Sequence, residues 1–205
     1  MRKIELEHIM GPSAYEKVRE NFRRRIIELK KIRRISIGDE VSLVFENRDT
    51  VIFQIQEMIR AEKITDLDKI REEIEVYNGL IPEPSELSAT LFLEIEDQSR
   101  IRQELLQFLG IDEVVFLKIG DQHSIHARFE EGHSKEDKIS AVQYVKFPFT
   151  REQIQALAKG KEDAILLIDH PNYRARVSME PETRKSLAED LFDQEANSGE
   201  RAQVH

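Results

Sequence analysis

Cysteine is absent from this 205-residue chain. That excludes disulfides, thiolate zinc sites, thiol nucleophiles and cysteine-ligated iron–sulfur clusters within it. Long hydrophobic runs are missing too. The longest, Ala164 to Ile168, falls far short of the ~20 apolar residues that a membrane-spanning helix needs. The opening segment MRKIELEHIM places glutamates and a histidine where a signal peptide would be apolar. A cytoplasmic protein without membrane segments is therefore expected. The chain also has no glycine-rich phosphate loop and no dinucleotide fingerprint.

What the chain has in quantity is charge. Charged residues make up 35% and hydrophobic residues 40%, which implies a modest core beneath a heavily charged surface. A chain of this length can bury about 70% of its unfolded surface without a disulfide or metal staple. The net charge of −9 disfavours a general affinity for nucleic acid or anionic lipid. The charge is uneven, however. Glu16 to Arg34 holds nine Lys/Arg against three Glu, a local balance of +6 that leaves −15 elsewhere. Such asymmetry marks a candidate interaction surface.

Periodicity outlines the elements. Ser13, with Glu16 three residues on, is a candidate capping box for a first helix. The stripe Tyr15, Val18, Phe22, Ile26 and Leu29 carries that helix to about Arg33. Val41 to Phe45 is a strand, and Asn47 or Asp49 caps the next helix, which runs to about Lys63. Thr65 to Asp68 opens a third helix that ends at Asn78-Gly79. Leu87 to Ile95 alternates as a strand does, and Ile101 to Leu109 suits a short helix closed by Gly110. Val114 to Ile119 and Ile125 to Phe129 form a hairpin around Gly120-Asp121. After a polar loop from Glu130 to Lys138 come a strand (Ser140 to Phe147), a helix from Thr150, two strands around Asp169 to Asn172, and a helix from Pro181 to Phe192. Short turns between neighbouring strands favour an α+β class over a doubly wound parallel sheet. The expectation is a single domain over residues 1–193, with a largely antiparallel sheet flanked by helices. Residues 194–205 form a polar tail expected to be disordered.

Phe45 to Glu62, FENRDTVIFQIQEMIRAE, is the densest polar block. Its candidate binding residues are Asn47, Arg48, Asp49, Gln56, Glu57 and Arg60. One reading is a polar pocket in which exposed helix N–H groups and Arg48 hold a carboxylate or phosphate. The other is helix capping plus a solvated ion-pair face. This block resembles a bacterial family known as domain-of-unknown-function family 3501. So do EKVRENFRRRIIELKKIRR (Glu16 to Arg34), KISAVQYVKF (Lys138 to Phe147) and DHPNY (Asp169 to Tyr173). The resemblance spans roughly Tyr15 to Tyr173. It carries over no activity and no catalytic residues. Members of that family are often encoded beside rubrerythrin-like and iron–sulfur oxidoreductase-like proteins, so the resemblance implies a role near redox or oxidative-stress chemistry.

His123, His126, His133 and His170 are the metal candidates. On a strand, an offset of three points His123 and His126 to opposite faces. A ferritin-like di-iron site needs Glu-x-x-His on inward helix faces, and no expected helix contains one. No metal site and no cofactor are therefore assigned. Asp169-His170-Pro171 reads as acid–base chemistry or, more simply, as a turn. In the basic helix, Arg23, Arg24 and Arg25 spread around the axis and cannot line one groove, so nucleic-acid binding is disfavoured. They remain candidates for docking an acidic partner. The first functional expectation is a non-catalytic accessory protein of a cytoplasmic redox system, docking an iron–sulfur or rubrerythrin-like protein. The alternative is a small enzyme or ligand binder with a polar pocket at Arg48, Gln56, Glu57 and Arg60.

Overall fold

The computed structural model describes residues 1–95, 99–130, 134–135 and 138–201. Helix α1 (Pro12–Arg33) begins two residues earlier than the Ser13 cap implies. Gly11 is its N-cap and Pro12 its first helical residue, a position where proline's fixed φ and missing N–H cost nothing. Strands β1 (Arg34–Ser36) and β2 (Val41–Glu46) follow. Helix α2 (Arg48–Ala61) is capped by Asn47, whose side chain accepts from the Thr50 N–H. Helix α3 (Leu67–Asn78) is capped by Asp66.

Next come β3 (Glu86–Leu93), α4 (Ile101–Leu106), β4 (Val115–Ile119), β5 (His123–His126) and β6 (Arg128–Phe129). A small hairpin, β7 (Ser134–Lys135) with β8 (Lys138–Ile139), occupies part of the expected polar loop. The chain continues through β9 (Val142–Pro148), α5 (Arg151–Lys159), β10 (Ala164–His170), β11 (Tyr173–Ser178) and α6 (Pro181–Arg201). Residues 202–205 of the expected tail lie outside the described residues, whereas the α6 backbone extends to Arg201.

The class is α+β, as the linkage pattern implies, and every strand pairing is antiparallel. The strands divide into a five-stranded sheet, β1-β2-β3-β9-β6, and a four-stranded sheet, β11-β10-β4-β5. β5 and β6 are successive lengths of one extended segment that leaves one sheet and enters the other. Ala127, at the crossing, still donates to the Val115 carbonyl at 3.0 Å, and Phe129 already pairs with Val145.

One core lies between the sheets. Leu43, Phe45, Leu91, Leu117, Leu166 and Val145 fill it, joined by Ile154 and Leu157 of α5 and by Leu187 and Leu191 of α6. A second core, built from Ile52, Ile55, Ile59, Ile70 and Ile74, belongs to α2 and α3. β2 is buried along its whole length. Its alternate residues Ser42, Val44 and Glu46 therefore face away from the inter-sheet core but stay covered.

Candidate functional site

The polar block of α2 has two ends, and they do different things. At the first, Asn47 closes a capping box with Thr50. Just before it, the Glu46 side chain is buried at 2% exposure. Its carboxylate accepts from the Thr90 hydroxyl at 2.7 Å, the Gln54 amide at 3.0 Å and the Thr50 hydroxyl. A buried carboxylate needs such donors, because desolvating it without them would be prohibitive. Asp49 pairs with Arg25 at 3.3 Å. Arg48 is half-buried, and its Nε has no hydrogen-bond partner among the described residues.

The second end clasps α1, which runs antiparallel alongside. Glu57 accepts from the Tyr15 hydroxyl at 2.7 Å and from Arg19 through two nitrogens at 2.8 and 2.7 Å. Arg60 reaches Glu16 at 3.0 Å. Gln56, 1% exposed, holds the backbone of Met10 at both its N–H and its carbonyl, at 2.8 and 3.1 Å. The bidentate Arg19 guanidinium holds the Glu57 carboxyl below its usual range. Burial, reinforced by the hydrogen bond to Glu57, pushes the Tyr15 phenol up. Arg60 lowers the Glu16 carboxyl through its hydrogen bond.

The candidate pocket residues therefore do not meet at one point. Twelve residues separate Arg48 from Arg60, roughly 18 Å along a helix axis. Glu57 is fully engaged in the clasp. Of the set, Gln56 and Arg60 border a cavity. This is a groove of about 200 Å³ between the start of α1 and the end of α2, walled also by Tyr15, Ile59, Lys63 and Ile64.

The basic cluster on α1 is thinner than its composition implies. Arg19, Arg25, Lys31 and Arg34 pair with Glu57, Asp49, Glu28 and Glu94. Arg33 is buried outright, at 1% exposure. It donates to the Phe45 and Glu46 carbonyls, to the Ser186 hydroxyl and to Asp190. β1 pairs with β2 only as far as Val44, so the Arg33 guanidinium serves the β2 carbonyls beyond the last paired residue. Arg23 and Arg24 are exposed and have no ion-pair partner among the described residues.

Between them and the next turn sits Ile27, 40% exposed. Residues three and four away on a helix are surface neighbours. Those positions around Ile27 are Arg23, Arg24, Lys30 and Lys31. The four flanking cations are readable in the sequence, whereas the exposure of Ile27, next to the buried Ile26 of the inward stripe, is shown by the structure.

His126 and His170 serve the fold, and His123 lies in β5 opposite Ile119. His126 meets the Glu113 carbonyl at 3.0 Å and stacks on Phe116. His170 is buried. Its Nδ1 accepts from the Asn172 N–H, so its Nε2 carries the proton and donates to the Leu109 carbonyl at 2.8 Å. The rest of DHPNY acts likewise. The Asn172 amide donates to the Gln107 carbonyl, and the Tyr173 hydroxyl donates to the Ile37 carbonyl. The segment thus forms the turn of the simpler reading, and its side chains tie β10 and β11 to the α4 region and to the β1–β2 turn. His133 lies outside the described residues. Among the described residues no three His, Asp or Glu side chains gather in a metal-binding cluster, and no helix is long and apolar enough to cross a membrane.

Fold and site together define a two-sheet α+β domain with a helical clasp on one face. Two features of its surface stand apart from the clasp: the exposed Ile27 face of α1 and the groove. The chain belongs to the family described as Protein of unknown function (DUF3501), whose model matches residues 3–191. It is similar to a crystal structure of a novel protein of unknown function from Burkholderia pseudomallei K96243. The two are 34% identical with a TM-score of 0.86, covering 93% of this chain and 100% of that one. No curated protein matches the chain.

Proposed function

We propose that this protein is a non-catalytic accessory protein that docks an acidic partner through the outer face of α1. The observation that supports this reading is Ile27, exposed on α1 with Arg23, Arg24, Lys30 and Lys31 at its helical neighbours. An apolar anchor inside a charged rim is the common anatomy of a protein interface. The cations steer an acidic surface towards the helix, and the isoleucine supplies the desolvated contact. The bidentate pair of Arg19 with Glu57 ties the helix to α2, and Arg23 and Arg24 project for the partner.

The partner class comes from the family resemblance: an iron–sulfur or rubrerythrin-like protein of a cytoplasmic redox system. The chain has no cysteine with which to carry such a centre itself. The test is co-purification of the protein with its host's redox proteins at low salt. Retention of an iron–sulfur or rubrerythrin-like protein is expected. It should be lost in Ile27→Asp and in Arg23→Glu/Arg24→Glu, with both variants melting as the wild type does. If no redox protein is retained, or if these variants retain it equally, the reading is wrong.

A further inference from the structure

The groove beside the helical clasp has features that partner docking further along α1 does not use. Its polar floor is already engaged. The Gln56 amide is bound at both ends to Met10, and the Tyr15 hydroxyl is bound to Glu57. What these groups present to the groove is their carbon framework. Pro12, Ile59 and Ile64 add apolar walls. On the rim, Arg60 is neutralised by Glu16. Lys63 is exposed and has no acidic partner among the described residues. The rim therefore carries one net positive charge beside an apolar cleft.

The backbone at Lys63 is a second, independent observation. α2 ends in a Schellman arrangement: the Ile64 N–H donates to the Ile59 carbonyl at 2.9 Å, and the Lys63 N–H to the Arg60 carbonyl at 3.3 Å. The residue between the cap and Ile64 must be left-handed, a position that glycine normally fills. Here it is Lys63, at φ 52. A lysine held in a conformation that disfavours its own Cβ is maintained at a cost in stability, and strain of this kind gathers where a side chain is needed.

We infer that this groove binds a small monoanion with a compact apolar body, of the aryl or short aliphatic carboxylate class, with Lys63 as the partner of the carboxylate. The volume of about 200 Å³ suits such a ligand, since benzene fills an apolar cavity of ~150 Å³. Glu16 on the rim disfavours a dianion such as free phosphate. Thr65, at the same edge, supplies a hydroxyl for the second carboxylate oxygen. This inference is independent of partner docking, which uses Ile27 and its neighbours and not the groove.

The experiment is titration of the full-length protein with benzoate, and with benzamide as the neutral isostere, followed by amide chemical shifts. Saturable benzoate shifts centred on Ile59, Lys63 and Ile64 are expected, with benzamide ~5- to 10-fold weaker. Lys63→Gln should reduce benzoate binding to the level of benzamide. Lys63→Gly should do the same while raising the unfolding temperature, because glycine relaxes the left-handed position. Four results would overturn the inference. These are no saturation by ~10 mM, equal binding of the two probes, shifts centred elsewhere, or benzoate affinity unchanged in either Lys63 variant.

Discussion

Replacing Asp190 with alanine should be among the most damaging single changes in this protein, even though it touches neither the groove nor Ile27. The reason lies with Arg33. Its side chain is 1% exposed and carries a full positive charge, which Asp190 faces across the α1–α6 contact. Three neutral acceptors also receive it: the Phe45 carbonyl at 2.9 Å, the Ser186 hydroxyl at 3.0 Å and the Glu46 carbonyl at 3.2 Å. Alanine at 190 leaves the hydrogen bonds to those acceptors but strands the charge. Removing one member of a buried ion pair costs ~3–5 kcal/mol.

Against a total stability of ~5–15 kcal/mol, that is a large fraction. At ~2–4 °C per kcal/mol for a domain of this size, the melting temperature should fall by ~6–20 °C. Thermal and urea unfolding followed by circular dichroism would measure it. The double variant Arg33→Met/Asp190→Leu removes both charges. It should be less destabilised than Asp190→Ala, losing mainly the bonds to the two β2 carbonyls at ~0.5–1.5 kcal/mol each, or ~1–3 kcal/mol together. If Asp190→Ala unfolds within ~1 kcal/mol of the wild type, or if the double variant is the worse of the two, the buried-charge argument is wrong.

Two further outcomes follow from the clasp and from the β1–β2 turn. Because Arg19 lowers the folded-state pKa of Glu57, the stabilisation linked to that carboxylate is complete above the unfolded value of 4.5 and is lost as pH falls through the folded value. Tyr15 shifts the other way, so its contribution is complete below 10.0 and is lost as pH rises through the folded value. Stability measured against pH should thus decline at both extremes. Glu57→Gln should flatten the acid limb, and Tyr15→Phe the alkaline one; unchanged limbs would refute the assignment. Gly38, at φ 73, lies where an added Cβ would overlap the Tyr173 hydroxyl. Gly38→Ala should cost ~2 kcal/mol in urea unfolding, and a neutral result would show that the Tyr173 tie to this turn is dispensable.

Much of the fold was legible because its signals are local. Asn47, Asp66 and Thr150 are N-caps both by residue type and in space. The alternation of Leu87, Ala89, Leu91 and Leu93 marks the β3 face that enters the inter-sheet core. The Ser13 cap failed because Pro12 competes for the same turn with a stronger preference. The division into two sheets was not legible, because residues of both sheets show the same inward alternation and nothing local marks Ala127 as the point of transfer.

Among the candidate site residues, type was readable but partner was not. Glu57 and Arg60 share a helix face, as their spacing implies. Their counterparts Tyr15, Arg19 and Glu16, however, lie about forty positions away in the chain, beyond the reach of any periodicity. Arg33 shows the same limit most plainly. In sequence it is one more member of a basic run, and only the approach of α6 reveals it as an interior charge.

The passage of one extended segment from sheet to sheet through Ala127 has a mechanical consequence. Peeling either layer away would pull on hydrogen bonds in the other, since β5 is zipped to β4 while β6 is zipped to β9. The two layers are thus sewn by a common thread, and slow amide exchange should be shared by Leu117 and Val145 as members of one cooperative unit.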